Sequence, residues 1–169
     1  MTTRRFAILF AFTALAAPWL APLAPARAEP FERLLPFLVD LDGWQGEKPD
    51  GESMNLGDDS MSRATREYRR GDDKIRLSVL VGAAARSAIG PIETGLTRET
   101  ADGHVRATTI AGFKALKIYN DKKKSGAVLI ALDGETVVSF SYEGIGEDEA
   151  AALAEKLDLN GVAAAAKAK

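Results

Sequence analysis

Residues 127–142 read AVLIALDGETVVSFSY, and this stretch decides the fold. Asp133-Gly134 stands between two runs of apolar and β-branched residues, the strongest short-range indication of an antiparallel hairpin. Working outward, Asp121–Gly126 and Ala111-Gly112 punctuate two further runs of the same texture. Strands are therefore predicted over 104–110, 113–120, 127–132 and 135–142, a four-strand meander in which each strand pairs with the next. A second hairpin lies upstream. In 62–70, Ala64 and Tyr68 alternate with Arg63, Thr65, Glu67 and Arg69. After Gly71-Asp72-Asp73, residues 74–81 turn Ile75, Leu77, Val79 and Val81 inward and Lys74, Arg76 and Ser78 outward.

Helical periodicity appears in three places. Phe31, Leu34, Leu35 and Leu38 fall at i, i+3, i+4 and i+7, but Pro36 limits this element to a turn or two with a break. Asp42-Gly43 ends it, and a Gly-rich polar stretch from Trp44 to Asp59 follows, with one short edge strand near 53–56. Residues 83–89 have helical propensity, and Gly90-Pro91 is expected to stop them. Residues 147–157 form the third helix. Glu147, Asp148 and Glu149 suit its N-terminal dipole, and Ala150, Leu153, Ala154 and Leu157 make its stripe. Asn160-Gly161 is read as its stop, leaving 163–169 as a flexible Ala/Lys tail. The fold class is α+β: an antiparallel sheet, hairpin plus four-strand meander, covered by N-terminal, middle and C-terminal helices in one domain over 29–162.

Ahead of that domain, Arg4 and Arg5 precede an apolar run of twelve residues, 6–17, and Ala26-Arg27-Ala28 sets small residues where a signal peptidase reads. Residues 1–28 are thus a secretory signal peptide with cleavage expected before Glu29, since the run falls short of the ~20 residues that span a bilayer. The expected location is periplasmic or extracellular. The chain has no cysteine, which removes thiol chemistry, Fe–S clusters and disulfides together. The whole chain carries a net charge of −2, and the signal contains arginines but no acid, so the mature domain is more acidic still. That balance offers no general attraction for nucleic acid.

The order of elements over 31–160 resembles the PsbP-type fold of extrinsic photosystem subunits and small secreted bacterial proteins. The texture of Leu34-Leu35-Pro36, Asp42-Gly43-Trp44 and Ser62-Arg63-Ala64-Thr65-Arg66-Glu67-Tyr68 also resembles a recurring type of small secreted bacterial protein. The resemblance implies an accessory, binding or assembly role rather than catalysis, and gives no single residue a role.

Four sets of residues are candidates for chemistry. His104, the only histidine, starts a strand beside a glycine and is expected at the rim; no nucleophile motif accompanies it. Met54, Met61 and His104 are the only soft or imidazole donors of the mature chain, which makes copper a minor reading beside methionine as a filler of core gaps. No cofactor is expected. Asp58-Asp59 and Asp72-Asp73 supply oxygen ligands without the spacing of a calcium loop.

Basic residues form the fourth set: Arg63, Arg69, Lys74 and Arg76, with Arg66 and Arg70 nearby, on the first hairpin, and Lys114, Lys117, Lys122, Lys123 and Lys124 on the second. Edge protection explains such residues. The functional reading is a contact face for an acidic protein or a membrane-bound complex, carried by Arg63, Arg69, Lys74, Arg76, Lys114 and Lys122 to Lys124. Trp44 is expected to be buried against the first helix. The sequence thus points to a secreted, non-enzymatic binding or accessory protein. A small-molecule or copper carrier is the alternative, and a hydrolase with a dispersed site is the remaining one.

Overall fold

The computed structural model describes residues 30–56 and 59–168. The signal segment, the cleavage point before Glu29 and Asp58 lie outside the described residues. The fold is α+β around one nine-stranded sheet in which every pairing is antiparallel.

The predicted hairpin is β3 (Asp59–Arg70) and β4 (Asp73–Gly82), with Gly71 at φ +62° in the turn, where a side chain would be strained. The predicted meander is β6 (Gly103–Ile110), β7 (Phe113–Asn120), β8 (Ser125–Ala131) and β9 (Thr136–Glu143). The Asp133-Gly134 turn differs in detail from the two-residue type. Leu132 N–H donates to the Thr136 carbonyl across three residues, and Asp133 accepts from Glu135 N–H at 2.9 Å. Neither residue of the pair is left-handed.

What joins hairpin to meander is the pairing of β4 with β9, from Lys74 opposite Glu143 to Val81 opposite Thr136. Three further strands complete the sheet at its edges: β1 (Gln45–Gly46) and β2 (Asp50–Leu56), both on β3, and β5 (Arg98–Thr100) on β6. The short edge strand expected near 53–56 is therefore a full seven residues. At its middle the Ser53 hydroxyl lies 3.0 Å from that of Ser62 and accepts from Phe31 N–H, tying the strand to the chain before it.

Two helical expectations are corrected. Gly90-Pro91 does not stop the middle helix α1, which runs Ala83–Glu93 with Pro91 inside. The residue before a proline is normally pushed out of helical geometry by its own Cβ, and Gly90 has none. Ile92, 2% exposed, is buried against Leu116, Ala131 and Val137 and holds the last turn in place. Asn160-Gly161 is not a stop either. Helix α2 (Glu147–Ala154) ends earlier, and α3 (Leu159–Lys167) takes in the first five of the predicted tail residues. Asp158 caps α3 by accepting from Gly161 N–H at 2.8 Å, while Leu159 and Val162 are buried. Propensity favoured a stop at Asn-Gly, and burial of these apolar neighbours overrode it.

Strand alternation sends side chains to two faces. One face carries Tyr68, Ile75, Leu77, Val128, Ile130 and Phe140 into a core shared with Leu34, Leu38, Trp44, Leu153, Leu157 and Leu159. Each such large apolar side chain contributes roughly 1.5–3 kcal/mol by leaving water. Trp44 is buried there, as expected. On the other face a smaller cluster pairs Ala85 and Ile92 of α1 with Leu116, Ala131 and Val137.

Candidate functional site

Beyond α1, the second face carries two rows of side chains running across the strands. Successive pairings place Glu67, Arg76, Ser141, Ala127 and Ile118 in one row and Arg69, Lys74, Glu143, Ser125 and Asn120 in the next. Small residues on β8 and β9 form the floor, while long charged side chains on β3 and β4 form one wall. The result is a concavity of about 420 Å³, lined by Arg69, Lys74, Arg76 and Lys123 among others. A smaller hollow of about 320 Å³ beside it is lined by Arg63, Thr65 and Ser78 among others.

Most cations of the predicted contact set already have partners. Arg76 holds Glu67 through two nitrogens at 2.6 and 3.0 Å, Arg63 pairs with Glu52 at 2.7 Å, and Arg69 with Glu47 at 3.3 Å. Lys122 is ion-paired to Asp102. Lys114 sits at the α1 end of β7, tied to Glu93 at 2.6 Å, six residues along the strand from Asn120 and the turn lysines. It therefore does not share the concavity. Lys74, Lys123 and Lys124 have no ionic partner among the described residues. Within the predicted contact set, the charge left uncompensated thus lies at one end of the sheet. Glu143 stands between Lys74 and Ser125 and keeps this rim mixed.

Two basic residues grouped with this face serve the core side. Arg66 shares its face with Tyr68, with 13% of its side chain exposed, and donates to the Leu38 and Glu47 carbonyls at 2.6 and 2.8 Å. Arg70 lies over the Trp44 ring, 4.4 Å from its centroid, and bonds Glu149 and Asp73. Alternation along 62–70 placed residue 66 inward, but its charge masked that reading.

His104 is not a rim residue. Its side chain is 10% exposed and packed 5.9 Å from the Tyr119 ring, and Nε2 lies 2.9 Å from Oε2 of Glu147, the first residue of α2. Tyr119 stacks on Tyr142 at 6.4 Å, and the buried Tyr142 hydroxyl has no hydrogen-bond partner among the described residues. Burial, reinforced by the Glu147 carboxylate, pushes that phenol well above its ordinary pKa.

The three copper candidates are not brought together. Met54 lies opposite Met61 on β2–β3, but His104 is on β6, five strands away, roughly 24 Å at the usual strand spacing. No group of three or more His, Asp or Glu side chains among the described residues is placed to hold a metal ion. No helix among them is long and apolar enough to cross a membrane. No protein-family model matches the chain, and neither the curated proteins nor the solved structures contain a match to it.

Proposed function

We propose that this chain is a secreted, non-enzymatic binding protein of PsbP-like architecture, its helices layered on the sheet, that docks an acidic protein or membrane-bound complex on the open half of that sheet. The observation that carries the reading is the pair Lys74 and Lys123, which line the concavity without an ionic partner among the described residues, with Lys124, likewise without one, next in the chain. A lysine without an ionic partner among the described residues, on the strand at 74 or in the β7–β8 turn at 123 and 124, is free to meet a partner carboxylate, whereas Arg76, Arg63 and Lys114 would first have to release their own. The serine floor admits a close approach by extended chain. Net negative charge elsewhere on the protein restricts the attraction to this rim and orients the partner.

Contact of this kind weakens with salt, because exposed charges are screened over ~8 Å at physiological ionic strength. The test is capture of partners from periplasmic and membrane fractions at low and high salt, with the wild-type chain and with Lys74, Lys123 and Lys124 changed to Glu. A partner retained at low salt and lost in the variant is expected. One retained equally in all four conditions overturns the reading.

A further inference from the structure

We propose that Met54 and Met61 form a two-thioether site for a soft monovalent cation of the Cu(I) and Ag(I) class. The inference is independent of the docking face, since Met61 and Arg69 stand eight residues apart on β3, roughly 27 Å of strand.

The register of β2 and β3 sets the two methionines directly opposite each other. Cross-strand neighbours hold their Cβ atoms about 5 Å apart on one face of the sheet. From there two unbranched side chains bring their sulfurs onto a common ion without backbone movement. Packing, the ordinary explanation of a methionine, does not account for them. Met54 is 45% exposed, and neither residue belongs to, or packs against, either buried cluster.

The surroundings leave room. Opposite Met61 on its other side is Gly82, which has no side chain to crowd that position. One step along the same face, Glu52 and Arg63 neutralise each other at 2.7 Å, so no unpaired cation of that row repels an incoming ion.

The donor set selects the ion. Thioethers are soft and uncharged, which suits Cu(I) and Ag(I) and excludes the hard cations that require oxygen ligands. They do not titrate near neutrality, so binding is independent of pH where a histidine or carboxylate site would not be. With His104 at the far side of the sheet, two soft donors among the described residues reach the ion, and the open positions are filled by solvent or by a donor from another molecule.

Silver(I) nitrate is the probe, because it needs no reductant. It is titrated into the full chain carrying 13C-methyl methionine, whose three methyl signals are assigned with Met54→Leu and Met61→Leu. Expected is saturation at one ion per chain, with the Met54 and Met61 methyls moving together and Met1 unmoved. Each leucine variant, which conserves volume, should weaken binding roughly tenfold or more. The affinity should stay constant between about pH 5.5 and 7.5, the window in which a histidine ligand would titrate. Movement of one methyl alone, of neither, or a Met54→Leu chain that binds silver as tightly as wild type overturns the site. Because the methyl shifts and stoichiometry come from the wild-type chain, a variant that fails to fold leaves the test decisive.

Discussion

Replacing Arg66 by Met keeps most of the side-chain volume and removes every donor, and it isolates what fastens residues 38–47 to the sheet. Arg66 donates to the Leu38 carbonyl at 2.6 Å and the Glu47 carbonyl at 2.8 Å, and also to the Asp40 carboxylate. Asp40 is 87% exposed, so that pair adds little in water. The carbonyls matter more: a hydrogen bond from a charged donor is worth ~1.5–3 kcal/mol, and Leu38 is buried, so its oxygen is left poorly solvated. Allowing for rehydration at Glu47, the loss should be about 3 kcal/mol, or about 10 °C in Tm for a domain of this size. Arg69→Met, on the same strand as Arg66, supplies the contrast, since it breaks an exposed pair with Glu47 and should change stability by less than about 0.5 kcal/mol. Urea titration of the two variants measures the difference, and hydrogen exchange should show the Arg66 loss as faster opening of 38–47. Equal stability of the two variants would refute the claim that Arg66 acts as a buried clasp.

Tyr68 is fully buried and donates to the Val39 carbonyl at 2.7 Å; burial, opposed by the nearby Arg66, raises its phenol to about 12 from 10. The folded state then holds a proton that the unfolded chain has lost, so stability is full below about pH 10 and falls as pH rises toward about 12, by roughly 1.4 kcal/mol per pH unit for this group. Tyr68→Phe should flatten that decline in alkaline urea titrations, and an unchanged slope would count against it. At Gly126 an added Cβ would stand 2.3 Å from the Ile118 carbonyl oxygen and 2.4 Å from the Tyr142 hydroxyl. Since the first neighbour is backbone, Gly126→Ala should cost ~1–3 kcal/mol by thermal denaturation, whereas Gly134→Ala, with open space around it, should be close to neutral.

The sequence alone determined the alternation of 62–81 and the meander over 104–142, because period-two patterning and Gly-Asp punctuation are local properties of the chain. The same locality explains its errors. Gly90-Pro91 and Asn160-Gly161 are stops by propensity, and both were overridden by burial, of Ile92 in one case and of Leu159 and Val162 in the other. Neither burial can be known before the partners across the sheet are known. The candidate sites divide along the same line. Basic residues on the two hairpins were legible, but which of them keep a free charge depends on acids far away in the chain, such as Glu93 for Lys114 and Glu52 for Arg63. Met54 and Met61 were visible as residues, but their opposition depends on the register of β2 against β3. Only the tertiary structure decided that β4 lies beside β9, because that pairing closes a loop of more than fifty residues and no local pattern encodes it. From that one contact follow the single sheet, the half of its face that α1 leaves open, and the distance that keeps His104 from the two methionines.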